Sequence, residues 1–355
     1  MQIDNKSGFM KTRITEMLGI QYPIIQSGMA WVANPSLVTA VCKTGAMAFL
    51  VPDGLSAEDL RQQIRQIRND TGNKPFGVNI TPMRPGFRQH IQVMLEEKIV
   101  AWSSGLRDPF VMASIKKPEN IVYIPTVGSV KQAIKVEKAG ADAVIVQGWE
   151  GGGHAGRIAT TVLIPEVVSA VSIPVIAAGG FCDGKGLVTA LALGAEGIAM
   201  GTRFATTQES PIPARVKAEY LKAVDTDAVL STIWDGLPMR VIPGAKMKHY
   251  KGWWTHFWQI VPALLDVKKF YKASWKDLIF STNIIRQMHA SMPQFLMGMD
   301  MYRRSFNLGA IDKAYSPCGQ VVGRVNEIPT CQEVVQNTIN EAKEIIRNLY
   351  NKCPD

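Results

Sequence analysis

The stretch that decides the fold is ADAVIVQGWEGGGHAGRIATTVLIPEVVSAVSIPVIAAGGFCDGKGLVTALALGAEGIAMGTR (141–203). It contains three short, β-branched apolar runs: ADAVIVQG (141–148), IPVIAAGG (173–180) and EGIAMGTR (196–203). Each has glycine at or near its end (Gly148, Gly179-Gly180, Gly201), and helical stretches separate them, the second of which opens at Asp183-Gly184. Runs of this length bounded by glycine read as strands, and the alternation reads as successive βα units. Working back towards the N-terminus, the same rhythm gives five more strands: YPIIQSGM (22–29), AMAFLV (46–51), FGVNITP (76–82), IVAWSSG (99–105) and IVYIPTV (121–127). Between the first two lies NPSLVTAVCKTG, with Asn34 as N-cap. After the second comes SAEDLRQQIRQIRNDTG, which starts at Ser56 with Asp59 three residues on and stops near Gly72. Eight strands alternating with helices predict an α/β fold, a closed (β/α)8 barrel of the TIM type.

The rhythm stops near residue 225. Residues 230–305 are rich in Trp, Met, Lys and aromatics, without strand alternation, and VPALLDVKKFYKASWKDLIF and NIIRQMHASMPQFLMGMDMYRRS read as helices. The expected organisation is a barrel over 12–225, a helical cap inserted after strand eight over 226–310, and a C-terminal segment over 311–355 whose long amphipathic helix packs back on the barrel. A chain of 355 residues is compatible with one such barrel.

Composition narrows the function classes. Charged residues are 19% and hydrophobic residues 46%, values typical of a globular enzyme. The N-terminus has no apolar signal region, and no run of about 18 apolar residues predicts a spanning helix. The five cysteines are scattered, without a CxxC pair, which argues against a disulfide framework or zinc site and fits a cytoplasmic protein. The net charge of +9 is concentrated between Arg240 and Arg304, where eleven Lys/Arg face three Asp. Such an excess suits a phosphorylated small molecule or simply a solvated face. Within it, KHYKGWWTHFW (248–258) mixes cations and aromatics, as a lid does or, less expectedly, a membrane contact. No nucleic-acid partner is expected.

In such a barrel, ligands bind at the C-terminal strand ends, and the loops after strands seven and eight commonly hold phosphate. Gly179-Gly180 and Gly201-Thr202 stand there. Glycine lets backbone N–H groups approach an anion, and the following helix N-terminus favours it. No GxGxxG opens a βα unit, which points to a mononucleotide. The loop after strand six, Gln147-Gly148-Trp149-Glu150-Gly151-Gly152-Gly153-His154-Ala155-Gly156, can lie flat against a planar ligand and presents one histidine, the natural acid or base near neutral pH. Met29 and Asn79, at the ends of strands one and three, supply the apolar and amide contacts that a flavin ring needs. His90, His249, His256 and His289 have no comparable setting and read as structural or surface residues.

These residues also carry a likeness. TRITEMLGIQYPIIQSGMAWV (12–32), KPFGVNIT (74–81), GADAVIVQGWEGGGHAG (140–156), the segment 173–212 and SPCGQVVGRVNEIPTCQEVV (316–335) resemble the nitronate monooxygenase superfamily, which includes FMN-dependent enoyl-ACP and NADH:quinone reductases. The resemblance implies FMN, held by Gly28, Met29, Asn79, Gln147, Gly179, Gly180, Gly201, Thr202 and the Gly319-Gln320 step, with His154 facing the substrate. It implies, first, oxidation of alkyl nitronates with O₂ and, as the alternative, NAD(P)H-driven reduction of a quinone or enoyl thioester. A flavin-binding, membrane-associated protein is a third class. Thr126 stands where the quinone reductase has a lysine, and Gln147 is closer to the nitronate monooxygenases than to the carboxylate of the two reductases.

Overall fold

A computed structural model of the chain describes residues 10–81, 86–105, 120–247, 260–270, 282 and 291–352. The eight expected runs form the eight staves of one parallel barrel. They are β1 (Ile24–Gln26), β2 (Met47–Leu50), β3 (Gly77–Asn79), β4 (Ala101–Ser104), β5 (Val122–Val127) and β6 (Val144–Gln147) and then, after a two-residue strand β7 (Gly153–His154), β8 (Val175–Ala178) and β9 (Ile198–Met200). Closure is through β1, which pairs with β2 at Ile25–Met47 and with β9 at Ile24–Ile198.

Side chains one residue apart on a strand point to opposite faces, and here they divide into two cores. Ile25, Phe49, Ala101, Ile124, Ile145 and Ile176 fill the barrel. Their neighbours Ile24, Leu50, Trp102, Tyr123, Val144 and Val175 pack outward against the helices. Helix α1 (Arg13–Leu18) adds Ile14 and Leu18 to the inner core, and Arg13 donates to Glu196 and to Ser172 O, just ahead of β9 and β8. The N-terminal mouth is therefore stoppered, which leaves the C-terminal strand ends for a ligand.

The surrounding helices are α2 (Pro35–Lys43), α3 (Ala57–Thr71), α4 (Phe87–Glu96), α5 (Val130–Lys138), α6 (Thr160–Ala170) and α7 (Gly184–Ala192). Asn34, Ser56 and Asp183 cap α2, α3 and α7 through their side chains, and Gly72 ends α3 in the left-handed region. After the four-residue α8 (Thr202–Ala205) and α9 (Ala214–Lys222), the helical expectation needs correction. Strands β10 (Val229–Ser231), β11 (Met239–Pro243) and β12 (Tyr315–Pro317) form an antiparallel sheet, and β7 pairs with β11. These strands are too short to show alternation, and β12 arrives more than 70 residues after β11, so no local pattern reveals the sheet. The helices described in this region are α10 (Ile260–Phe270) and α11 (Met292–Leu308). The segment 248–258, with His249 and His256, and also His289, lie outside the described residues. Helix α12 (Cys331–Lys352) lies along α7 and α2, and Glu341 accepts from Gly184 N at 2.8 Å, at the start of α7. Among the described residues, no helix is long and apolar enough to cross a membrane.

Glu97, at the end of α4, ties this helix to α3. Its carboxylate accepts from Arg65 (2.9 Å), Arg68 (3.1 Å) and Arg61 (3.2 Å). Burial pushes the Glu97 carboxyl up, but the arginine hydrogen bonds outweigh it and hold it below the ordinary glutamate range. A carboxyl depressed in the folded state stabilises above its unfolded pKa, and that contribution disappears as pH falls through the folded value. Glu97→Gln should lower Tm by a few degrees at pH 7. In thermal scans across pH, the gap from wild type should close as the medium becomes more acidic than the ordinary carboxylate range.

Candidate active site

A cavity of about 620 Å³ opens at the C-terminal end of the barrel. Gly28, Met29, Asn79, Thr126, Gln147, His154, Gly179, Gly180, Gly201 and Thr202 all line it. Residues drawn from six different strand ends thus converge on one space. Gln320 is the exception: Gly319 and Val321 line the cavity, whereas Gln320 uses its backbone N–H to reach Glu150 O at 3.0 Å. His90 is buried away from the cavity with Nε2 3.0 Å from Leu55 O, in keeping with a structural role.

The floor is backbone. Gly179 and Gly180 have φ of +96° and +85°, values that favour glycine. A Cβ at Gly180 would meet only Glu150, at 3.6 Å, and one at Gly201 only Met29 Sδ, at 3.6 Å. Both main-chain steps therefore face open space. Gly28 is different: a Cβ there would overlap the Asn79 side chain, whose Nδ2 donates to Ser103 Oγ at 3.2 Å. Thr202 has a local task as well, because its Oγ1 accepts the Gly319 N–H at 2.9 Å and ties the C-terminal segment to the end of β9.

The glycine-rich loop after β6 is fastened at many points. Gln147 Nε2 donates to Gly152 O (3.2 Å) and His154 O (3.0 Å), so this side chain shapes the loop from beneath. Glu150 turns outward and accepts from Thr160 N (3.0 Å) and Thr160 Oγ1 (2.6 Å). It thereby caps α6, whose own N-cap position is Ala159. Gly152 fits because it has no side chain: a Cβ would come within 2.5 Å of the Cys318 and Gly319 backbone. From above, the buried Arg240 on β11 donates to Ala228 O (2.7 Å) and Trp149 O (2.9 Å), with its guanidinium 5.2 Å from the centre of the Trp149 ring. Burial pulls the Arg240 guanidinium below the ordinary arginine range.

His154 emerges from this loop as part of β7, opposite Met239 of β11. Its Nε2 lies 2.7 Å from Asp235 Oδ2, and the Asp235 side chain is 2% exposed. Asp235 also lines the cavity. Asp-Gly-Leu-Pro (235–238) reads in sequence as a turn, so nothing local marks this aspartate as functional. Trp31 was equally silent. It lines the cavity with φ of +57°, a strained value for a bulky side chain, held by its N–H to Asp53 Oδ2 (2.7 Å) and by an edge contact with Tyr302 of α11 at 4.6 Å. Phe295, Met299, Tyr302, Phe306 and Tyr315 complete an aromatic and apolar wall, and Arg157 is the exposed cation of the described lining. Among the described residues, no group of three or more His, Cys, Asp or Glu is placed to hold a metal.

A stoppered barrel with an open C-terminal mouth, a glycine floor and one histidine at the cavity is the arrangement of a barrel enzyme whose ligands bind at the strand ends. The family model for nitronate monooxygenase matches residues 11–86 and 81–341, and the chain belongs to that family, one of flavin-dependent oxidoreductases. It is 36% identical to a (3aS,4S,5R,7aS)-5-hydroxy-7a-methyl-1-oxo-octahydro-1H-indene-4-carboxyl-CoA dehydrogenase of Rhodococcus jostii (strain RHA1), over 94% of this chain and 96% of the relative. It is 32% identical to a probable nitronate monooxygenase of Staphylococcus aureus, over 68% of this chain and 82% of the relative. Among solved structures it is similar to FabK from Thermotoga maritima, with a TM-score of 0.78, 31% identity, and coverage of 97% of this chain and 100% of the other.

The Arg240 clamp is open to a direct check. Arg240→Leu leaves the Ala228 and Trp149 carbonyls without their donor in a buried place, which costs about 2–5 kcal/mol. Amide hydrogen exchange should accelerate across residues 148–156 and leave β1–β3 unchanged. Wild-type protection of the loop would show that Arg240 does not hold it.

Proposed function

We propose that the protein is an FMN-dependent oxidoreductase that dehydrogenates an acyl-CoA thioester, with His154 as the proton acceptor. The observation that carries this reading is the buttressed histidine beside the aromatic and apolar wall of the cavity, a wall suited to a bulky acyl group. Similarity to the CoA dehydrogenase across 94% of the chain supports it, because a match of that extent cannot leave out the segment that builds the apolar wall. Arg157 offers the lining a positive charge for the phosphates of the thioester.

FMN fits the floor. The open main chain at Gly180 and Gly201-Thr202 suits its phosphate, and Gly28-Met29, Asn79 and Gln147, which also line the cavity, would hold its ring. When bound, the flavin supplies an acceptor for a hydride from carbon. The remaining work belongs to this chain. The apolar wall excludes water and seats the acyl group over the floor. The imidazole of His154 takes the proton from the acidic carbon beside the thioester carbonyl. The substrate would thus lose two hydrogens, a proton from the carbon beside the carbonyl to His154 and a hydride from the adjacent carbon to the bound flavin, and a C=C bond would form between these two carbons. A CoA thioester is also a substrate class that agrees with cytoplasmic residence.

Nitronate oxidation is the second reading, favoured by the family model and by the staphylococcal relative. His154 would then take the proton of a nitroalkane. Turnover of purified flavoprotein against an alicyclic acyl-CoA with an artificial electron acceptor, propionate 3-nitronate with O₂, and NADH plus quinone decides between them. The proposal expects the highest kcat/KM with the thioester; preference for the nitronate would replace it with the second reading.

The phosphate assignment has its own test. Gly201 has φ of −101° and room for a Cβ, so Gly201→Ala should bind FMN nearly as wild type does. Gly201→Asp sets a carboxylate beside the phosphate, with repulsion of about 4 kcal/mol for unit charges near 4 Å at intermediate dielectric. Fluorescence titration should show affinity lost in the aspartate variant alone. Equal affinity in both variants would move the phosphate elsewhere.

A further inference from the structure

The Asp235 carboxyl is committed on both oxygens. Oδ2 lies 2.7 Å from His154 Nε2, and Oδ1 accepts the Leu237 N–H at 3.0 Å. A carboxylate can only accept hydrogen bonds, so Nε2 must carry the proton of the neutral ring and Nδ1 is the nitrogen left with a lone pair. The histidine backbone is pinned as well: His154 O accepts from Gln147 Nε2, and the Ala155 N–H donates to Pro238 O at 3.2 Å. Behind Asp235 stands Gly298 of α11. A Cβ on Gly298 would come 2.5 Å from Asp235 Cβ and 2.8 Å from Trp234 O. The missing side chain in α11 is what allows the 232–236 turn to reach the histidine.

We propose that Asp235 is a positioning residue that fixes the tautomer and direction of His154, and that Gly298 is the packing feature that admits it. The inference rests on the reading of His154 as proton acceptor and adds how the ring is kept ready. In Asp235→Asn, the Leu237 N–H retains the amide oxygen. The amide NH₂ then faces Nε2, which must accept, and the proton moves to Nδ1. The shape of the buried side chain is kept, so the variant should fold, as Tm will show. Gly298→Ala keeps the carboxylate but pushes it away.

The test uses flavin-loaded protein labelled with ¹⁵N-histidine, at about pH 8.5, above the ordinary histidine range. His154 signals are assigned by their absence in His154→Asn. Wild type should show the Nε2–H form, Asp235→Asn the Nδ1–H form, and Gly298→Ala both forms. With the thioester, Asp235→Asn should lose about 10²–10⁴-fold in kcat, with KM within a few-fold. The spectra need no substrate, so an error in substrate class leaves this arm intact. The same tautomer in wild type and Asp235→Asn, or the Nδ1–H form in wild type, would overturn the inference. A Gly298→Ala spectrum identical to wild type would remove Gly298 from it.

Discussion

The active site depends on fixing a glycine-rich loop that has no rigidity of its own. Residues 148–156 contain five glycines and pay a large conformational entropy to adopt one shape. That cost is met by contacts from several directions: Gln147 from below, Glu150 outward to α6, the Cys318–Gly319 backbone against Gly152, and Arg240 from above. The glycines permit these close approaches, and the approaches immobilise the glycines. His154 acquires a defined direction only because the loop has one.

The segment after β9 completes the site. β11 pairs with β7 and delivers Arg240, the turn before it delivers Asp235, and α11 delivers the aromatic wall. The barrel alone would present a floor and a mobile loop; the small sheet turns the loop into a walled cavity.

The barrel was legible because its strands are local. Each of the eight runs is a short apolar segment, five of them with glycine at or near the end (Gly28, Gly105, Gly148, Gly180, Gly201), and the helix caps at Asn34, Ser56 and Asp183 are side chains that act within one turn. The cavity-lining glycines were legible for the same reason, since a strand's C-terminal end fixes where its loop sits. What sequence could not show is non-local. β12 joins β11 across more than 70 residues, and Asp235 meets His154 across 81. Gln320 shows the opposite case: a motif placed it at the site, but its side chain is not part of the wall, because the adjoining backbone makes the contact instead.

The central claim is that His154 handles a substrate proton and leaves the cofactor to the glycine floor. His154→Asn separates these roles, because asparagine keeps a hydrogen-bonding side chain and removes proton transfer. The variant should purify with flavin content equal to wild type and lose about 10²–10⁴-fold in kcat with the thioester. A wild-type rate, or loss of flavin together with activity, would contradict the account.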